Sequence, residues 1–211
     1  MEENNTQYQV DILAGQKTGW FYDQRVNRQN MIPQIIGKTV LDVFSYTGSW
    51  SVCAANAGAN QVTAIDVSHA ALSVLRKNAQ ANDVTQSVNV VCDDAFNAMQ
   101  TMHQDKQHYD VVFIDPPAFI KRKKDLQEGM QAYIRANRLA MSLVKPGGLL
   151  ISSSCSYHMS QANLQNALLK ASRKLKRLTQ ILSYGQQGPD HPIHPAIEET
   201  AYLKTITLRV F

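Results

Sequence analysis

Cysteine is scarce in this chain of 211 residues, and its three cysteines, Cys53, Cys92 and Cys155, lack the spacing of a disulfide framework. An odd number without that spacing argues against a secreted, disulfide-bonded fold and for a reducing cytoplasm. Cysteine and histidine also lack metal-ligand spacing, so no metal is expected. Cys53 falls in a helical pattern and Cys92 at a strand end, and both are expected in the core because free cysteine behaves as a small hydrophobe.

Long apolar runs are missing too. No run approaches the ~20 residues that span a bilayer, so no membrane partner is expected. Residues 1–7 are polar and partly acidic, unlike a signal or transit peptide. The length fits one domain with a sizeable core, and neither a repeat nor a linker interrupts it. We expect a cytoplasmic globular protein whose oligomeric state the sequence leaves open, a homodimer being one allowed state.

Strand and helix signals alternate from about residue 38, the pattern of an α/β fold with a mostly parallel sheet and helices on both faces. The expected strands are 40–43, 62–66, 88–91, 109–115, 147–153, 178–182 and 201–210. Ser68 is expected to cap the second helix, and the sequence Pro146-Gly147-Gly148 to end a later helix and start the fifth strand. Residues 1–37 are expected to form a strand and helix extension, with a strand at 10–13, packed on a domain of residues 38–211.

An acid and a thiol follow two of the expected strands. Asp115-Pro116-Pro117 comes directly after the strand at 109–115, and Cys155 comes after the strand at 147–153. In open α/β sheets ligands bind at the carboxyl ends of the strands. The pairing therefore predicts covalent chemistry on a substrate at that edge.

The first strand-to-helix turn, residues 42–48, is poor in glycine. A dinucleotide fingerprint needs three glycines, whereas here only Gly48 is present and Phe44 and Tyr46 would obstruct a pyrophosphate. Asp66 and Asp93-Asp94 close the next two strands, which suits a nucleoside cofactor without phosphates, such as S-adenosylmethionine. The alternative is that each acid is only a helix N-cap.

A set of motifs in a fixed order carries a family resemblance. The motifs are Lys17-Thr18-Gly19, Asp23-Gln24-Arg25, Tyr46-Thr47-Gly48, Asp66-Val67-Ser68, Asp94-Ala95-Phe96, Asp115-Pro116-Pro117-Ala118-Phe119, Ser154-Cys155-Ser156 and Asp190-His191-Pro192. Over nearly its whole length the chain resembles class I S-adenosylmethionine-dependent methyltransferases, which have a Rossmann-like fold with a seven-stranded sheet. More narrowly it resembles the bacterial 23S ribosomal RNA 5-methylcytosine methyltransferases. Members of that family usually carry an RNA-binding PUA domain and a small linking domain ahead of this part, and this sequence contains neither.

The resemblance implies roles for particular residues. Cys155 would add to carbon 6 of cytosine, and Asp115 would hydrogen-bond or protonate nitrogen 3. Asp66 would hold the ribose of S-adenosylmethionine and Asp94 its adenine amino group. The implied cofactor-binding set is Asp23, Arg25, Phe44, Ser45, Tyr46, Thr47, Gly48, Asp66, Val67, Ser68, Asp94, Ala95, Asp115 and Pro116.

Basic residues flank this edge, although the net charge is only +4. The run Lys121-Arg122-Lys123-Lys124 is expected to meet RNA phosphates, whereas the later cluster at 170–177 suits a solvated face equally well. The loop at 185–195, with three prolines, is expected to cover the site. Two alternatives stay open: methylation of a nitrogen, in ribosomal RNA guanine or a small molecule, with Cys155 structural, and an RNA-binding module without activity.

Overall fold

A computed structural model describes residues 1–13 and 15–211. The chain begins with a short hairpin, β1 (Glu2–Glu3) and β2 (Thr6–Gln7), and a helix, α1 (Arg25–Ile35). Strands and helices then alternate: β3 (Thr39–Val43), α2 (Ser49–Asn56), β4 (Gln61–Asp66), α3 (His69–Ala81), β5 (Val88–Cys92), α4 (Ala95–Gln104), β6 (Tyr109–Ile114), α5 (Leu126–Ser142), β7 (Val144–Ser154), α6 (Gln161–Leu175), β8 (Thr179–Gly185) and β9 (Lys204–Val210).

Seven of these strands form one sheet in the order β5-β4-β3-β6-β7-β9-β8. The strands from β5 to β7 are parallel, and β9 runs antiparallel to both β7 and β8. The chain builds outward from β3 to β5 and then returns to place β6 on the other side of β3. This reversal opens a crevice at the carboxyl ends of β3 and β6, where such sheets bind ligands.

Helices cover both faces of the sheet, because the central strands carry apolar residues on both sides. Along β3, Leu41 and Val43 join the core under α4, α5 and α6, whereas Val40 joins the core under α1 and α2. A third cluster packs α2 and α3 with Tyr8 and Trp20 of the N-terminal segment. The α/β architecture with a mostly parallel seven-stranded sheet is confirmed. The division at residue 37 stays a prediction.

Polar residues between a strand and the next helix start several of the helices. The Ser68 side chain accepts a hydrogen bond from Ala71 N at the start of α3, as expected. Ser160 does the same for α6, and the Asp94 carboxylate accepts from two backbone N–H groups of α4. Each cap satisfies amides that a helix leaves without an internal partner.

Two element predictions are wrong. The chain has no strand at Val10–Leu13, because Leu13 N donates to Asp11 Oδ1 in a local turn and the Leu13 side chain is fully exposed. The sequence Pro146-Gly147-Gly148 does not start the fifth strand, since β7 already begins at Val144, opposite Tyr109. The glycines instead lie where the pairing of β6 with β7 shifts register, and Gly147 has a φ of 80°.

The prediction for the cysteines is half right. Cys53 is buried in α2, but Cys92 is exposed because it ends β5, the strand at the edge of the sheet. Within residues 1–13 and 15–211, no helix has the length and apolar character that a membrane crossing requires. In the same ranges, no three His, Cys, Asp or Glu side chains converge as metal ligands would.

Candidate functional site

A cavity of about 440 Å³ opens at the carboxyl ends of β3, β4 and β6. Its walls come from the residues that follow β3, β4, β5, β6 and β7, from the N-terminal segment and from the residue before β9. The lining residues are Lys17, Phe21, Asp23, Gln24, Phe44, Ser45, Tyr46, Ser49, Trp50, Asp66, Val67, Ser68, Asp94, Ala95, Asp115, Pro116, Pro117, Ala118, Cys155 and Leu203. Its volume is in the range of small-molecule and cofactor sites.

The turn after β3 is strained. Phe44 and Tyr46 have φ values of 67° and 49°, in the left-handed region that bulky residues seldom occupy. Ser45 N bonds to Ile65 O at 2.9 Å, and Tyr46 N bonds to Asp66 Oδ2 at 2.8 Å. Such strain persists only where the surroundings hold it, and it clusters at ligand sites.

Gly48 shapes this turn from behind the cavity. It has a φ of 88° at the N-cap of α2, and a Cβ atom there would lie 2.6 Å from Leu75 Cγ. A side chain at position 48 would therefore be both strained and in collision with α3. Neither Thr47 nor Gly48 lines the cavity, although both were expected there.

Asp66 is fixed at the end of β4 by the backbone around it. Its Oδ1 accepts from Ser68 N and its Oδ2 from Tyr46 N, each at 2.8 Å. Asp94 also lines the cavity, while its Oδ1 accepts from Phe96 N and Asn97 N as the N-cap of α4. The Asp94 side chain therefore both caps α4 and forms part of the cavity wall.

The N-terminal segment closes one side of the cavity through Asp23. This side chain is buried, and its Oδ2 accepts from Lys17 Nζ at 2.6 Å and from the Tyr202 hydroxyl at 2.8 Å. Its Oδ1 is buried without a hydrogen-bond partner among the described atoms. Arg25 turns outward instead, where it pairs with Asp190 at 3.3 Å and lies outside the cavity lining.

Asp115 lies at the end of β6 and is half-buried. Its Oδ2 accepts from Gln24 Nε2 at 2.9 Å and from Trp50 Nε1 at 3.4 Å. Burial, opposed by these two bonds and reinforced by the nearby Asp23 carboxylate, raises the pKa of Asp115 to about 6. The group can therefore exchange a proton near neutral pH.

Cys155 reaches the same cavity from the end of β7. The serines on either side point the other way: Ser154 Oγ donates to the Tyr133 hydroxyl at 2.8 Å, and that hydroxyl lies 3.0 Å from Ser156 Oγ. Ser156 Oγ also accepts from Ile120 N at 3.3 Å, which ties this turn to the loop that follows Asp115. The hydroxyl network holds the backbone so that the Cys155 thiol faces the cavity.

The thiol is half-buried, and burial, followed by the Asp115 carboxylate, raises the pKa of Cys155. A raised pKa keeps the sulfur protonated at neutral pH. Any role as a nucleophile therefore requires a local cation or a base.

Most of the expected site residues meet at this cavity. Their individual roles stay predictions. Those that line it are Asp23, Phe44, Ser45, Tyr46, Asp66, Val67, Ser68, Asp94, Ala95, Asp115, Pro116 and Cys155, whereas Arg25, Thr47 and Gly48 do not. Sequence reasoning missed Phe21, Ser49, Trp50 and Leu203. Trp50 lies in an apolar helical pattern that is typical of the core. No motif near Leu203 in the sequence indicates a site.

The cavity suits a zwitterionic nucleoside cofactor. Two buried polar atoms of its walls, Asp23 Oδ1 and Ser45 Oγ, lack partners among the described residues and could bind a charged tail. Asp66 and Asp94 stand further along the wall, where hydroxyl and amino groups would find acceptors. The residues present therefore fit S-adenosylmethionine.

The loop at 185–195 does not line the cavity, contrary to expectation. It packs behind the N-terminal segment, where Gly188 N donates to Asp23 O at 3.2 Å and Asp190 binds Arg25. A groove of about 630 Å³ lies beside the cavity and shares Leu203 with it. Its walls include Lys123, Tyr157, His158 and Lys204.

The basic clusters separate in the structure. The run at 121–124 is exposed, and Arg122 is bound to Asp125 at 3.0 Å. In the later cluster Arg177 is structural, since its guanidinium donates to the carbonyls of Met141 and Val144. The rest of that cluster is exposed.

Known proteins match the chain over nearly its full length. The family of S-adenosylmethionine-dependent methyltransferases matches residues 1–209. "Ribosomal RNA large subunit methyltransferase I" of Aeromonas salmonicida is 37% identical over 210 residues, which are 99% of this chain and 53% of that protein. The protein of the same name from Escherichia coli O127:H6 is 35% identical over 211 residues, again 53% of its length. The chain thus spans about half the length of these curated relatives.

Solved structures agree with the sequence matches. The structure described as "SMU.776, a putative methyltransferase complexed with SAH" has a TM-score of 0.88 and 29% identity, and the match covers 98% of this chain and 54% of that one. This likeness supports the Rossmann-like methyltransferase fold.

Proposed function

Because the chain belongs to the family of S-adenosylmethionine-dependent methyltransferases, we propose that it methylates carbon 5 of a cytosine in 23S ribosomal RNA through a covalent cysteine adduct. The observation that carries this proposal is that Asp115 and Cys155 line one cavity from the neighbouring strands β6 and β7. The name shared by the curated relatives supports a large-subunit ribosomal RNA as substrate.

The cofactor is assigned to the wall formed by β3, β4 and β5. In this proposal Asp66 holds the ribose, Asp94 the adenine amino group, and the turn at 44–46 the methionine end together with Asp23. Val67, Ser68 and Ala95 border the adenine, and Pro116 closes the opposite wall. When bound there, S-adenosylmethionine supplies an electrophilic methyl group on a sulfonium. Thr47 and Gly48 act indirectly, through the shape of the turn.

The reaction at the base uses two side chains. Carbon 5 of cytosine is a poor nucleophile, so the Cys155 thiolate first forms a carbon–sulfur bond at carbon 6. Asp115 hydrogen-bonds or protonates nitrogen 3 and so accommodates the electron pair displaced into the ring. Once carbon 5 is methylated, loss of its proton restores the double bond and expels the Cys155 sulfur.

The RNA is assigned to the groove beside Leu203. This groove lies next to the cavity wall that carries Cys155, and Lys123 and Lys204 supply positive charge. The exposed run at 121–124 continues that charge onto the surface, where RNA phosphates would be neutralised.

A second candidate is favoured by one observation. Burial and the Asp115 carboxylate raise the pKa of Cys155, so the sulfur is a neutral thiol at neutral pH. In that alternative Cys155 is structural, and the acceptor is a nitrogen of ribosomal RNA guanine or of a small molecule.

The test is a covalent trap. RNA with 5-fluorocytidine at the target position should form a stable adduct in the presence of S-adenosylmethionine, because fluorine cannot leave as a proton. Peptide mapping should place the adduct on Cys155. Cys155→Ala should abolish methyl transfer and still bind the cofactor, whereas Cys92→Ala, the same change at an exposed thiol, should behave like the parent. Near-parent RNA methylation by Cys155→Ala, with the product on a nitrogen, would move the assignment to the second candidate.

A further inference from the structure

Gln24 is a buried amide that lies between Asp115 and Asn27. Its Nε2 donates to Asp115 Oδ2 at 2.9 Å, and its Oε1 accepts from Asn27 Nδ2 at 2.7 Å. Only 2% of Gln24 and 5% of Asn27 are exposed. A continuous line of buried hydrogen bonds therefore runs from Asn27 to the carboxylate at the end of β6.

The orientation of Asn27 is set by its own neighbours. Its Nδ2 also donates to Thr205 Oγ1 at 3.3 Å, and that hydroxyl lies 2.9 Å from Ser153 Oγ. On the other side, a Cβ atom on Gly185 would collide with Asn27 Oδ1, so the glycine makes room for this amide. The surroundings thus hold Asn27 with its amide nitrogen towards Gln24.

The direction of the Gln24 amide follows from these contacts. Turning the amide over would place Nε2 against Asn27 Nδ2 and Oε1 against the Asp115 carboxylate, and both contacts would become repulsive. Gln24 is therefore fixed as a donor to Asp115 Oδ2. The Trp50 indole N–H donates to the same oxygen at 3.4 Å. With two donors on Oδ2, Oδ1 is the oxygen left to meet a ligand in the cavity that Asp115 lines.

We propose that Gln24 is a positioning residue, which holds Asp115 Oδ2 as an acceptor and so directs proton exchange with the nucleobase to Oδ1. The inference rests on the proposed function for its purpose. An oxygen that already accepts two N–H groups is a poor site for a proton, because protonation would set an O–H against those donors. When nitrogen 3 is protonated, the proton leaves Oδ1, the electron pair of that O–H bond stays on the carboxylate, and the pair displaced into the ring forms the new N–H bond.

Other titratable or charged groups also act on Asp115 from the neighbouring elements. They are Asp23, Arg28, Asp42 and Cys155. Asp23 and Arg28 each have a partner of opposite charge at 2.6 Å. The Gln24 amide is uncharged, so replacing it with another neutral side chain leaves all of these charges in place. A shift in the Asp115 titration would then report the lost hydrogen bond.

The experiment follows the Asp115 carboxyl carbon by NMR as a function of pH, in protein labelled at its aspartate carboxyls and without RNA or cofactor. Asp115→Asn identifies the signal. Gln24→Met keeps the length of the side chain and removes the donor to the ionised carboxylate, so it should raise the pKa of Asp115 by about one unit. Gln34→Met, the same change at an exposed glutamine of α1, is the matched control and should leave it at the parent value. Asp42, which binds Ser51 instead, should move far less.

An unchanged Asp115 titration in folded Gln24→Met would overturn the proposal. Gln24→Glu gives a second answer, because it places a carboxyl within reach of Asp115 Oδ2. The two carboxyls should share one proton, so the last step of the Asp115 titration should move to higher pH. If Gln24→Met does not fold, this variant decides alone, and a titration equal to the parent's would again overturn the proposal.

Turnover separates positioning from a structural role. Gln24→Met should lower kcat/KM on the acid side of its decline by roughly tenfold or more, because a misplaced proton donor loses efficiency. The decline itself should move to higher pH together with the NMR midpoint. A lower rate with the parent's midpoint would mark a structural defect and count against the proposal. Because the NMR titration needs neither RNA nor cofactor, its failure is distinct from a failure to methylate RNA.

Discussion

The two ends of the cavity differ in the hydrogen-bond donors that bind their carboxylates. At the β4 end, both oxygens of Asp66 accept backbone N–H groups. At the β6 end, Asp115 Oδ2 accepts from the side chains of Gln24 and Trp50, and burial raises its pKa to about 6. Backbone donors hold the first carboxylate in place, whereas the raised pKa of the second lets it exchange a proton near neutral pH.

The difference matches a division between binding and chemistry. A bound cofactor needs hydrogen-bond acceptors that do not change during turnover. A nucleobase that reacts needs neighbouring side chains whose pKa values lie near the working pH. Cys155, whose pKa is raised by burial, lies on the same side as Asp115. The two side chains assigned to the chemistry, Asp115 and Cys155, thus lie together, away from the strand ends assigned to the nucleoside.

The largest effect is expected from Asp115→Asn, which keeps the size of the side chain and removes its proton exchange. We expect kcat to fall by about 10²–10⁴. In the parent, protonated Asp115 is present below pH 6 and is lost as pH rises, so its contribution to kcat/KM should decline through about pH 6. That limb should be missing from the pH profile of the variant. Asp105→Asn, at an exposed aspartate, is the control, and a variant with the parent's rate and profile would remove Asp115 from the chemistry.

A smaller loss is expected at the other end. Asp66→Ala leaves the ribose hydroxyls to water and should weaken S-adenosylmethionine binding by about 1.5–3 kcal/mol, or roughly 10–150-fold, by calorimetry. Asp105→Ala changes an exposed acid outside the cavity lining and should bind like the parent. Equal affinities in the two variants would contradict the division between the ends, provided that the thermal midpoints show both proteins folded.

The smallest effect concerns the surface beyond Asp115. Neutralising Lys121, Lys123 and Lys124 together, with Arg122 left on Asp125, should weaken RNA binding and flatten its salt dependence. Each lost phosphate contact lowers the log–log slope by about 0.7–0.9. The matched control neutralises three exposed lysines outside both basic clusters, Lys38, Lys77 and Lys106. If filter binding gave both triple variants one slope, the run would be only a solvated face.

Local pattern was enough to predict most of the sheet and much of the cavity. Buried parallel strands are continuous apolar runs, and the residues that end them must meet at one edge. This is why strand pattern alone groups Asp66, Asp115 and Cys155 at one edge of the sheet. The Ser68 cap was also predictable, because a serine before an apolar helical repeat is a local signal.

The remaining features depend on which strands become neighbours. Leu203 reaches the cavity because β9 is inserted between β7 and β8, and no local pattern encodes that insertion. Cys92 is exposed only because β5 is an edge strand. Trp50 is almost fully buried, so its sequence position looks like core, yet its indole N–H faces Asp115.

The insertion of β9 also sets an order for the folding of the chain during its synthesis. Until residues 204–210 have been synthesised, β7 has an open edge and the Cys155 turn lacks its lysine. Apolar strands with open edges are prone to pair with the wrong partner. A nascent chain stalled before β9 would therefore carry the cofactor wall and the Cys155 turn but would lack the paired strand and the Lys204 hydrogen bond that hold this turn, so the side of the cavity proposed for the chemistry is the last to be completed.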